Sequence, residues 1–155
     1  MRRNIERDDA RKIRGILYRW GRVPSTLLDL HQQIRDFECL LDDVRSLGAQ
    51  QYDGMPGSKE PGDPTAARAA KAIALQEEYQ KTIEWLMNRA AEEVRLKTLI
   101  DEHLELLSPA DQELIRLRYG NRLQWVTVSM RMGYSEEAVR KRDREVILKL
   151  SENIF

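Results

Sequence analysis

Ser135, Glu136, Glu137, Arg140, Lys141 and Arg144 crowd ten residues near the C-terminus, within the run SEEAVRKRDR. On a helix they form an outward face that mixes phosphate-pairing cations with side chains able to read base edges. A glutamate there repels phosphate but can accept from a cytosine amino group. Arg142 completes the basic cluster Arg140-Lys141-Arg142, and Arg144 lies one turn beyond Arg140. The alternative for these charges is pairing with Glu136, Glu137, Asp143 and Glu145 on a solvated surface. Arg122 and Gln124, in the link before the preceding helix, are the other candidates for DNA contact.

The elements that must hold this face can be read from caps and breakers. Ser108-Pro109, with Asp111 close behind, starts a helix that runs to Tyr119 and ends at Gly120. A link of Asn121 to Gln124 leads to a second helix, Trp125 to Met132. Met132-Gly133-Tyr134-Ser135 is a tight turn with glycine where a left-handed backbone is needed, and Ser135 caps a third helix reaching about Leu150. Two helices around such a turn are the pattern of a helix-turn-helix, whose second helix enters the major groove. Val128, Ser129, Met132, Tyr134, Val139 and Val146 form the expected inner face, with Ser129 small enough for close helix approach.

Upstream, Pro24 predicts a break near Arg22–Val23, after a helical stretch from Asp8 to Trp20. Leu27, Leu30, Ile34, Phe37, Leu41 and Val44 recur at spacings of three and four, a heptad seam that wants one facing helix. Gly48 offers that helix an end. The stretch 48–64 holds four of the eight glycines and three of the five prolines, which predicts a long mobile loop. Asp63 and Pro64 then suit a helix start, and no glycine or proline follows until Ser108-Pro109. Its stripe is Leu75, Tyr79, Ile83, Leu86, Ala90 and Val94, so it can fold back antiparallel on the seam. Trp85 lies off the stripe and is either half-buried or in contact with helix 8–20 or another subunit. The expected fold is all-α: an antiparallel, coiled-coil-like hairpin over 1–107, then a helix-turn-helix over 108–155.

Composition agrees with a helical protein. The 155 residues balance 26 basic against 26 acidic side chains, with 34% charged and 6% aromatic. The zero net charge is unevenly spread, since residues 1–22 hold eight basic and three acidic groups. No apolar run approaches membrane-span length, and none follows the basic N-terminus at signal-peptide length. A single cysteine, Cys39, fits a cytoplasmic protein. Cys39, His31 and His103 are too few for zinc, and no cofactor motif is present. The neighbouring carboxylates Asp42-Asp43 and Glu92-Glu93 diverge on a helix, so no catalytic constellation exists and the chain does not read as an enzyme.

The segment LSPADQELIRLRYGNRLQWVTVSMRMGYSEEAVRKRDREVILKL resembles region 4 of the sigma-70 family. Leu117, Arg118, Tyr119, Trp125, Met132, Ser135, Val139, Ile147 and Leu150 carry the match. The tryptophan opening the second helix and the GYS turn are more similar to phage regulators of the RinA and ArpU type. Their sigma-like module follows a helical N-terminal part, as the heptad helix, GMPGS…GDPTA loop and alanine-rich helix do here. Ser129 departs from the usual alanine, and Glu136 and Glu137 put the target sequence in question. The resemblance implies a sequence-specific transcription regulator, a phage or prophage late-gene activator. Its partners would be double-stranded DNA and RNA polymerase, with a homodimer or higher oligomer formed through 25–107. Nothing resembles sigma region 2, so the chain would not melt a promoter alone. A phage small terminase-like packaging protein shares the combination of helix-turn-helix and hairpin, and a structural coiled-coil adaptor needs only the hairpin.

Overall fold

The computed structural model describes residues 2–52 and 64–155, and no strand occurs among the described residues. Helix α1 spans Arg2–Tyr52 and α2 spans Pro64–Glu105. Helix α3, Pro109–Ile115, continues into a π-helical turn, Arg116–Gly120. Helices α4, Trp125–Met132, and α5, Glu136–Ile154, complete the chain. None of the described helices is long and apolar enough to cross a membrane.

The all-α hairpin followed by a helix-turn-helix is the observed architecture. As α1 advances, its partners on α2 recede, Arg19 meeting Glu93 and Phe37 meeting Tyr79. The two long helices are therefore antiparallel.

Two sequence breakers do not act as expected. Pro24 lies inside α1, and Gly48 does not end it. An interior proline costs a helix roughly 3 kcal/mol. Burial on either side outweighs it, with Leu17 and Val23 before the proline and Leu30 and Ile34 after it. Residues 48–52 of the expected mobile loop are helical. The rest of that stretch up to Asp63, with the expected Asp63 cap, lies outside the described residues.

The chain packs as two units, Met1–Thr26 with Glu93–Phe155, and Leu27–Glu92. The second unit is the heptad hairpin, in which Leu30, Ile34 and Leu41 are buried with Ile83, Leu86 and Ala90. Leu27, Phe37 and Tyr79 pack beside them, the two rings 5.8 Å apart. Trp85 is 58% exposed, with Arg89 over its ring.

In the first unit, the helix-turn-helix does not own its core. Leu114, Ile115, Leu117, Tyr119, Val128, Val139, Val146, Ile147 and Leu150 are buried together with Ile13 and Leu17 of α1 and Ile100 and Leu104 of α2. The α2 stripe also shifts by one residue. Val94 is exposed, while Glu93 is buried and accepts from Arg19 at 2.8 Å. Glu93 keeps the heptad spacing from Ala90 toward Ile100, and a basic partner on α1 makes a carboxylate acceptable there. Trp20 Nε1 and Lys97 Nζ both donate to Asp101, at 2.8 and 2.6 Å.

The helix expected over Pro109–Tyr119 is α-helical only to Ile115. Asn121 N–H donates to the Arg116 carbonyl, five residues back. A π turn inserts one extra residue, so Tyr119 rather than Arg118 turns inward. It also lets Ile115, Leu117 and Tyr119 all be buried, at spacings an unbroken α-helical face does not supply.

Candidate nucleic-acid interface

The interface is built on a turn with defined chemistry at both ends. Gly133 has φ 72°, in the left-handed region, and closes α4. Gly133 and Tyr134 N–H groups both donate to the Ser129 carbonyl, at 3.0 and 3.2 Å. The Ser135 hydroxyl then accepts from Ala138 N–H at 3.1 Å and starts α5. Val128, Ser129, Val139 and Val146 are buried as expected of the inner face. Ser129 donates to the Val126 carbonyl at 2.7 Å, which satisfies its hydroxyl within α4. Met132 is half-buried. Tyr134 departs from the expectation at 50% exposed, because the turn carries it out, where Arg142 lies over its ring.

The outward face of α5 holds Glu137, Lys141 and Arg144 exposed, with no ion pair among the described residues. Arg140 belongs to the same face but is already engaged. It donates to Glu136 at 2.7 Å and its guanidinium lies 5.7 Å from the Trp125 ring centre. Glu136 therefore holds an arginine in place rather than standing as a free acceptor. Arg142 is the member of the basic cluster that turns inward. It donates to the buried Asp111 at 2.6 Å and ties α5 to α3.

Gln124 is exposed; its backbone caps α4, and its side chain makes no cap bond. Arg122 has φ 53° and lies over the Tyr18 ring. It lines a groove with Gly15, Tyr18, Arg22 and Arg118, on the side of α1. Arg118 spans the two places: it donates to the Leu123 carbonyl and stacks 4.5 Å from the centre of the Trp125 ring that Arg140 also covers. Trp125, Arg118, Arg22 and Tyr18 were not among the residues expected at an interface. The excess of basic residues over 1–22 was the available signal. It did not say which cations would meet the C-terminal helices.

Behind the face, Asp143 is 2% exposed. The Tyr119 hydroxyl donates to it at 2.9 Å and Arg14 at 3.2 Å. Burial pushes the Asp143 carboxyl up from its ordinary value, against the pull of Tyr119 and Arg14. Burial and then the nearby carboxylate push the Tyr119 phenol up as well. A raised carboxyl binds its proton more readily in the folded than in the unfolded chain. Its contribution is fully present below the ordinary value near 3.8 and is lost as pH rises through the folded one. Wild type should therefore lose stability relative to Asp143→Asn as pH rises across that window. Urea unfolding at successive pH values measures the difference, and a wild type that instead gains stability relative to Asp143→Asn as pH rises would show that Arg14 holds the carboxylate charged.

The described residues form an all-helical fold in which α4 and α5 meet around a capped, left-handed turn, and α5 carries the cluster Arg140-Lys141-Arg142 within a charge-balanced sequence. The chain belongs to the family described as "Protein of unknown function (DUF722)", whose model matches residues 74–152. No curated protein and no solved structure matches it.

Proposed function

We propose that this protein is a sequence-specific DNA-binding transcription regulator of the cytoplasm, similar in design to the RinA and ArpU regulators. It would act at a promoter with RNA polymerase as a phage or prophage late-gene activator. The observation that carries this reading is the left-handed Gly133 turn between α4 and α5, which leaves Arg140, Lys141 and Arg144 on one exposed helical face. A second helix presented in this way is the element that helix-turn-helix proteins insert into the major groove.

The test uses a duplex from the DNA bordering the protein's own gene. Arg140→Ala is expected to cost roughly 1 to 3 kcal/mol of binding, the value of a bidentate base contact. Lys141→Ala is expected to flatten the salt dependence by about one unit. Both variants should keep wild-type helicity by circular dichroism. Unchanged affinity in both would remove α5 from the interface.

The packaging reading keeps one observation in its favour. The hairpin unit exposes Leu28, Leu40, Ile73, Trp85 and Met87, apolar side chains suited to self-association. Light scattering of the full chain separates the two readings. A monomer or dimer supports regulation, and a large ring supports packaging.

A further inference from the structure

We infer that the groove lined by Tyr18, Arg22, Arg118 and Arg122 is a phosphate site, and that it takes a backbone phosphate of the DNA engaged by α5. This rests on the DNA-binding reading. The groove has a volume of about 430 Å³ and no carboxylate in its lining. None of the three arginines has an ion pair among the described residues. Their neighbours along the same helices are treated differently. Arg14 has Asp143, Arg19 has Glu93 and Arg116 has Glu113. Arg14, Arg19 and Arg116 thus have carboxylates within ion-pair distance, whereas Arg22, Arg118 and Arg122 share one groove with none that close, Arg118 acting on Asp143 only at longer range.

The groove also carries features that packing does not call for. Arg122 is the described non-glycine residue with positive φ, a conformation that disfavours an L side chain, and it lies over the Tyr18 ring. Arg118 Nε is buried with no hydrogen-bond partner among the described residues. A Cβ placed on Gly15 would meet nothing within 4 Å, so the groove has open space beside α1. Guanidinium groups in this number repel one another unless an anion sits among them, and their forked donors match phosphate oxygens. Arg118 makes the link to DNA, because it shares the Trp125 ring with Arg140 of the α5 face. Phosphate contacts fix the register of a protein on a duplex while base contacts specify sequence, and α1 would supply the first to a helix that supplies the second.

The experiment measures binding of the full chain to a fluorescent duplex of about 30 base pairs from the DNA bordering the protein's own gene, from about 50 to 200 mM salt. Arg22→Ala is expected to weaken binding several-fold at low salt and to reduce the salt slope by about 0.9, one phosphate contact. Arg22→Lys should restore most of the slope. Lys81→Ala removes one charge from the exposed side of α2 and should leave the slope unchanged. If wild type binds no duplex at any of these salts, the DNA reading falls and the inference with it. If Arg140→Ala weakens binding while Arg22→Ala does not, the inference alone is overturned. An equal loss in Lys81→Ala would reduce the effect to bulk charge and overturn it too. Thermal shifts with inorganic phosphate complete the test. Phosphate stabilisation that Arg22→Ala abolishes, with duplex binding intact, would assign the groove to free phosphate and overturn the DNA assignment.

Discussion

A fragment of residues 108–155 should show no cooperative thermal transition, although it contains the whole helix-turn-helix. Its core is completed by Ile13, Leu17, Ile100 and Leu104, all outside the fragment. Burying an aliphatic side chain contributes roughly 1.5 to 3 kcal/mol. Losing four such partners removes about 6 to 12 kcal/mol, comparable to the roughly 5 to 15 kcal/mol of an ordinary domain. The fragment also strips Arg14 from Asp143 and leaves a buried carboxylate with only the Tyr119 hydroxyl. Circular dichroism of the fragment should show low, gradually melting helicity. A sharp transition near that of the full chain would mean that α1 and α2 merely cover a core that closes by itself. The same argument warns against testing DNA binding on the isolated C-terminal segment.

The second large effect is at Gly21. A Cβ there would lie 2.0 Å from the Tyr119 carbonyl oxygen and 2.9 Å from its carbon. Both are backbone atoms of the π turn, so no rotamer relieves the clash and the backbones must separate. Gly21→Ala should cost about 3 kcal/mol, the upper range for overpacking, by loosening the seat of Leu17 and Trp20. Alanine in place of an unconstrained helical glycine has the opposite sign. Gly15→Ala meets nothing within 4 Å and should stabilise the fold by roughly 0.5 to 1 kcal/mol. Urea midpoints of the two variants on either side of wild type would establish the close approach. Stabilisation in both would show that α1 does not rest on the Tyr119 backbone.

Local signals were enough for the helices of the C-terminal region and for their caps. Ser108 and Ser135 accept from the third residue onward, and Gly133 takes the left-handed conformation, because each of these effects involves atoms only a few residues apart. The heptad seam from Leu27 to Leu41 was equally legible, since its period records a single facing helix. Pro24 misled for the complementary reason. The local cost of Pro24 is real, but it is smaller than the burial of its neighbours on the same helix, while nothing among the described residues explains why Gly48 does not end α1.

The candidate site was half legible. Spacing placed Arg140, Lys141 and Arg144 on one face, since a helix repeats every 3.6 residues wherever it lies. Spacing could not show that Glu136 and Trp125 hold Arg140, or that Arg142 leaves the face for Asp111. Nor could it bring Arg22 to Arg118 and Arg122 across nearly a hundred residues of chain. Periodicity and capping belong to the local chain and follow from residue types in order. Which charges are paired, which carboxylate is buried and which arginines have no carboxylate within ion-pair distance depend on the packing of α1 and α2 onto the C-terminal helices. That packing is a balance of burial, steric fit and desolvation summed over residues distant in sequence, and it exists only once the first unit has folded.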